Sequence, residues 1–152
     1  MPRPGPDPSA LRLDSLPTWL LSRSSGRAHR LLSDALAAAG ARGYHYRMLA
    51  ALEDLGPASQ ATAGRRAEMD RSDVVAALNE LEADGLVERA PDPDDRRLKI
   101  VTITAAGRRR LKKLDEVVGA VQEELLAPLA AAERAELIRL LSRVAERSGE
   151  GD

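Results

Sequence analysis

Apolar residues recur at three- and four-residue spacings along most of this chain, and the period shortens to two in one place only. Leu16, Leu20, Ala28, Leu31, Leu32, Ala35 and Ala39 predict an amphipathic helix from about Asp14 to Ala39. Pro17 suits its first turn, and Gly40 and Gly43 read as its stops. Met48, Leu49, Leu52 and Leu55 predict a second helix over Tyr44–Asp54, broken by Gly56-Pro57. A short helix then opens on Ser59 and runs to about Ala67, and Asp70 opens another over Arg71–Asp84, both residues being good N-caps. The buried face of the latter is Val74, Ala77, Leu78 and Leu81, and Gly85 ends it. Leu86–Arg89 and Leu98–Ile103 are strand-like, the second alternating with Val101 and Ile103 on one face and Ile100, Thr102 and Thr104 on the other. Thr104 caps a long helix to about Ala127 with the stripe Leu111, Leu114, Val118, Val121 and Leu125, and Pro128 stops it. A last helix, Glu133–Arg147, carries Leu137, Leu140, Leu141 and Val144.

The order helix, tight turn, helix, strand, charged turn, strand is that of a winged helix-turn-helix. The predicted fold class is therefore mainly α with a small β component (α+β): a winged lobe over 44–103, with long flanking helices at 11–40 and 104–147. In such a lobe the second helix enters the major groove of DNA and its first residues reach base edges. Its outward positions include Arg71, Ser72, Asp73, Val75 and Asn79. Arginine pairs bidentately with guanine, and asparagine in principle with adenine. Ser59, Gln60, Arg65 and Arg66, on the preceding helix, suit phosphate contacts. The turn Asp92-Pro93-Asp94-Asp95 presents Arg96 and Arg97 at a loop tip, where a narrow minor groove attracts guanidinium groups. Asp95 is placed to brace one arginine, and Lys99 adds a phosphate contact.

Composition narrows the picture. There is no Phe, one Trp and two Tyr, so the core is built from Leu, Val, Ile and Ala. The absence of Cys excludes disulfides and thiolate chemistry. Residues 1–10 hold four prolines and read as a disordered tail, not a signal peptide. No apolar run reaches the ~18–20 residues that span a membrane, so a soluble, cytoplasmic protein without membrane association is expected. With no Cys nucleophile, no Gly-rich phosphate loop and no Ser/His/Asp grouping, the chain does not read as an enzyme, and nothing calls for a metal or cofactor. The formal net charge is −1. From Pro57 to Arg110 ten basic residues meet ten acidic ones, so the lobe has no bulk attraction for phosphate. That neutrality, with Asp73, Glu80 and Glu82 on the second helix, keeps open an alternative: a winged-helix module that binds protein and not DNA.

The chain resembles the MarR family of transcriptional regulators. The resemblance runs through Asp84-Gly85-Leu86-Val87, then Asp92-Pro93-Asp94-Asp95-Arg96-Arg97, then Val101-Thr102-Ile103-Thr104 with Gly107, and in helical order it covers about Leu13 to Arg147. It implies a homodimeric repressor whose body is made by the first and last two helices, with two winged lobes straddling a pseudo-palindromic operator in double-stranded DNA. Arg97 would enter the minor groove, braced by Asp95. Similar proteins often carry basic residues where this chain has Ala76 and Glu80. A helix of ~24 residues is ~36 Å long, and so small a monomer cannot cover a stripe of that length, which independently suggests a dimer.

The resemblance also implies a small-molecule effector, an aromatic or phenolic anion, in a cleft between the body and the lobe. Candidate contacts are Trp19, Arg23, Arg27, His29 and Arg30 on the first helix and Tyr44, His45 and Arg47 on the second. Trp19 and Arg23 are four residues apart and share a helix face. The same positions also suit a dimer-interface core (Trp19), a solvated helix face (the arginines) and ordinary packing or surface histidines.

Overall fold

The structure is a computed structural model that describes residues 12–146. The tail assigned to residues 1–10 and the end beyond Glu146 lie outside the described residues. The elements are α1 (Pro17–Ala38), α2 (Gly43–Leu55), β1 (Ala58–Ser59), α3 (Gln60–Arg66), α4 (Arg71–Ala83), β2 (Val87–Pro91), β3 (Lys99–Ile103), α5 (Ala105–Leu125) and α6 (Ala131–Glu146). The strands form an antiparallel sheet in the order β1–β3–β2.

The predicted helices are present to within a few residues, and their ends follow from local chemistry. Pro17 stands in the first turn of α1. Ser59 Oγ accepts from Thr62 N, Asp70 Oδ1 from Asp73 N and Thr104 Oγ1 from Gly107 N, so the three predicted caps are in place. Gly43 is a correction: it begins α2. The stop after α1 belongs to Gly40, whose φ of 74° lets Ala41 N reach back to Leu36 O at 2.9 Å.

Strand β1 has no counterpart in the sequence reading. Two residues carry no periodicity, and Ala58–Ser59 is a strand only because it pairs with Val101 and Ile100. Residue Glu68, in the turn between α3 and α4, holds φ 52°, a left-handed conformation that disfavours a residue with a Cβ.

The core runs through the middle of the lobe. Leu36, Met48, Leu49, Leu52, Leu78, Val87, Val101 and Leu114 are fully buried, joining α1, α2, α4, the sheet and α5. Arg110 Nη2 donates to Ala39 O at 2.6 Å, and Tyr46 Oη to Asp115 Oδ1 at 2.8 Å, so α5 is fixed to the end of α1 and to α2. The flanks differ. No residue of α6 is buried, and Ile138 and Val144 are 60% and 59% exposed. Leu13, Leu16, Trp19, Leu20 and Leu21, at the N-terminal end, are exposed as well. No described helix is long and apolar enough to cross a membrane.

Candidate nucleic-acid interface

Helices α3 and α4 approach closely because Gly64 has no side chain: a Cβ there would lie 2.7 Å from Val74 Cγ2. This close crossing leaves the outer faces of both helices on one side, and the wing completes a third wall. The result is an open groove of about 620 Å³. Of the residues expected at DNA, it gathers Ser59, Gln60, Arg65, Arg71, Val75, Arg97 and Lys99, together with Met69 and Leu98. Four of these, Arg65, Arg71, Arg97 and Lys99, are cationic.

Other expected contacts stand elsewhere. Ser72 and Asp73 are exposed on the first turn of α4, where the Ser72 hydroxyl donates to Asp70 Oδ1 at 2.8 Å. That bond and the Asp73 backbone N–H hold the Asp70 carboxyl below the usual carboxylate range, the backbone bond contributing most. Arg66 Nη2 is paired with Asp54 Oδ2 of α2 at 2.7 Å, outside the groove lining. Arg96 is exposed on the hairpin tip.

The wing tip is built around Asp95. Asp92 N donates to Leu98 O and Leu98 N to Asp95 O, each at 2.9 Å, closing the turn. Asp95 Oδ1 accepts from Arg97 N at 3.1 Å and from Arg97 Nε at 3.0 Å, and Oδ2 accepts from Arg97 Nη2 at 3.1 Å. The side chain of Arg97 is nevertheless 90% exposed. The Asp95 carboxyl is held low by the Arg97 side chain first and its backbone N–H second, while Asp95 raises the Arg97 guanidinium in return. A guanidinium has five N–H donors. Two are held by the brace, and the remainder project from a fixed root.

The sequence profile of the MarR family matches residues 41–98. The chain is 32% identical over 105 residues to a putative transcriptional regulatory protein for the hcr operon of Thauera aromatica, covering 69% of this chain and 63% of that protein. It is 33% identical over 96 residues to the HTH-type transcriptional repressor NicR of Pseudomonas putida, covering 63% and 61%. The matched region thus spans less than two thirds of either relative. A probable transcriptional regulator from Pseudomonas aeruginosa superposes with a TM-score of 0.77 at 29% identity, covering 88% of this chain and 99% of that one. BpsR of Bordetella bronchiseptica, whose DNA binding is regulated by 6-hydroxynicotinic acid, superposes with a TM-score of 0.75 at 25% identity, covering 83% and 96%. The chain is thus similar to the MarR family in sequence across its winged lobe and in fold along most of its length.

Within this MarR-like lobe, two polar clusters tie other elements to α4. The first joins it to the start of α2. Glu80 accepts from Tyr44 Oη at 3.1 and 3.2 Å and lies 2.5 Å from His45 Nε2. Arg42 N donates to His45 Nδ1 at 3.1 Å. An accepting Nδ1 places the ring proton on Nε2, directed at Glu80. The Glu80 carboxyl is held below its ordinary range, chiefly by His45. Tyr44 and His45, expected at an effector cleft between the body and the lobe, thus have Oη and Nε2 turned to Glu80 on α4. On α1, Arg23 Nη1 lies 3.9 Å from Asp14 Oδ1, both exposed, and Trp19 is 38% exposed. Arg27 and His29 occupy the same helix at residues whose side chains are also outside the core.

The second cluster centres on Arg89, which sequence reasoning passed over. Its backbone N and Nε donate to Glu82 Oε2 at 3.0 and 3.2 Å, and its Nη2 to Asn79 Oδ1 at 2.8 Å. The side chain is only 17% exposed. A signal existed: Arg89 stands two residues after Val87, so strand alternation puts it on the buried side, where a guanidinium requires a partner.

Proposed function

We propose that this protein is a homodimeric, sequence-specific double-stranded DNA-binding transcriptional regulator, a repressor released by a small aromatic anion. The observation that carries the reading is the distribution of charge. The lobe is neutral as a whole, yet Arg66, Arg89 and Arg108 are paired with Asp54, Glu82 and Glu53 away from the groove, whereas Arg65, Arg71 and Lys99 converge on it with no carboxylate partner among the described residues, joined by Arg97, which stays largely exposed although Asp95 braces it. A neutral lobe sorted in this way meets phosphate with its cationic side, which favours nucleic acid over a protein partner. In this reading Arg71 and Asn79 face bases, Ser59, Gln60, Arg65 and Lys99 face the backbone, and braced Arg97 enters the minor groove with Arg96 beside it.

The exposed apolar residues of α1 and α6 support the dimer. Together with α5, these helices form the body in this reading, and covering Trp19, Leu20, Ile138 and Val144 from water needs a second copy. The two reading helices then stand about one DNA turn apart, roughly 34–36 Å. The regulation of BpsR by 6-hydroxynicotinic acid supports an aromatic carboxylate as the effector class, received near Trp19, Arg23, Arg27 and His29. A regulator of this kind works in the cytoplasm.

The deciding experiment is a mobility-shift titration on a selected operator with wild type and Arg97→Ala, with oligomeric state measured by light scattering. Severe loss of affinity with the dimer retained is expected. Unchanged affinity removes Arg97 from the interface, and no affinity of the wild type for any fragment at low salt favours a protein-binding module instead.

A further inference from the structure

Along the outward side of α4 the polar residues Arg71 and Ser72 come first and Asn79 last, and between them stand Val75 and Ala76, all exposed. Arg71, Val75 and Asn79 repeat every four residues and so share one stripe of the helix. Val75 therefore sits midway between the two residues assigned above to bases. It also lines the groove, together with Arg71, Met69 and Leu98. A lone exposed valine on a protein surface needs no explanation. This one is 40% exposed beside Leu98, 47% exposed, in a groove that carries four cationic side chains. The valine side chain is stiff at χ1 in a helix, so its two methyl groups keep a fixed direction.

From this placement we infer that Val75 is a specificity-determining residue that reads the C5-methyl group of a thymine in each half-site. The inference rests on the DNA-binding reading above and deepens it. A duplex seated in the groove takes Val75 out of water. Valine can neither donate nor accept, so a polar base edge set against it loses its hydrogen bonds to water and gains none in return. Guanine, adenine and cytosine all present donors or acceptors in the major groove, and only thymine adds an apolar group, its methyl. Thymine thus turns the contact into burial of one apolar surface on another. The middle of the reading helix, which has no hydrogen-bonding side chain at Val75 or Ala76, still discriminates among bases.

The test uses the full chain. An operator is selected from a random duplex pool with wild type, and each thymine of the half-site is then replaced in turn by deoxyuridine. That exchange removes the methyl and leaves the base-pairing edge unchanged. In mobility-shift titrations, one thymine per half-site should be sensitive: its replacement weakens wild type by about fourfold, the worth of one buried methyl, and by roughly fifteenfold when both half-sites are changed. Val75→Ala removes both γ-methyls and keeps a good helix former. It should bind the unmodified operator more weakly than wild type and respond to the same exchange by less than about twofold. Val75→Ser gives the same comparison if Val75→Ala does not fold, which circular dichroism checks. No sensitive thymine with wild type, or a sensitivity as large in the Val75 variant as in wild type, would overturn the inference while leaving the regulator reading intact. A wild type that selects no sequence would overturn the regulator reading itself, and the inference with it.

Discussion

Alanine at Gly107 should destabilise this protein although it improves the local helix. Gly107 lies in the first turn of α5, and replacing an interior helical glycine by alanine ordinarily gains about 1 kcal/mol. Here an added Cβ would stand 2.1 Å from Leu86 O and 2.7 Å from Ile103 Cγ1. The Leu86 carbonyl cannot give way, because it accepts from Thr104 N at 3.0 Å, and Thr104 Oγ1 donates to Gly85 O at 2.7 Å. Relief requires α5 to slide off the end of the sheet by roughly an ångström, overpacking at about 1–3 kcal/mol. The slide also breaks the Thr104 cap at about 1 kcal/mol and the Leu86–Thr104 bond at about 1 kcal/mol. The net loss, after the propensity gain, is about 3 kcal/mol. Gly119 is the internal control: it lies in the same helix, with nothing within 4 Å of its added Cβ, so Gly119→Ala should gain up to about 1 kcal/mol. Urea unfolding followed by circular dichroism at one fixed protomer concentration measures both. Equal effects of the two substitutions, or a gain in stability at Gly107, would refute the packing argument, since propensity alone predicts the same gain at both sites.

Glu68→Gly should raise stability by about 1 kcal/mol in the same assay, because it removes the left-handed Cβ at φ 52°. Asp95→Ala should weaken operator binding less than Arg97→Ala, since the guanidinium remains and only its direction is lost; equal losses in a mobility-shift titration would make Asp95 a contact in its own right. Burial first, and the hydrogen bond to Asp115 second, push the Tyr46 phenol up to about 12. Its pKa is raised on folding, so its contribution is complete below the ordinary tyrosine value of about 10 and is lost as pH climbs through about 12. Ultraviolet difference absorbance should show that late phenolate step in wild type and not in Tyr46→Phe. Operator affinity should fall steeply with added salt, and Arg65→Ala should reduce that slope by about one unit if Arg65 meets a phosphate.

Where a stretch is long and periodic, sequence and structure agree. Val74, Ala77, Leu78 and Leu81 form the buried face of α4 as their spacing requires, and Ser59, Asp70 and Thr104 cap as their side chains allow. The Asp95–Arg97 brace was legible because both partners lie two residues apart in a closed turn. What was not legible depends on pairing between distant residues. Strand β1 exists only through β3, the oxygen of Asn79 accepts from Arg89 ten residues on, and Tyr44 and His45 turn towards Glu80 from thirty-five or more residues away. Residue type named Asn79, Tyr44 and His45 as polar candidates, but only tertiary packing says which of their atoms are free.

Ser59 is at once the end of β1 and the cap of α3, while β1 is bonded to β3 and β3 to β2. The helix-turn-helix and the hairpin therefore turn as one lever. At about 3.3 Å per residue, the five residues of β3 give it an arm of roughly 17 Å from the Gly107 end towards the tip. A tilt of about 10° where α5 begins would carry Arg97 sideways by roughly 3 Å, about the length of one hydrogen bond. Small rotations of the long helix would thus be geared up, through a strand of two residues, into the gain or loss of contact at the far end of the wing.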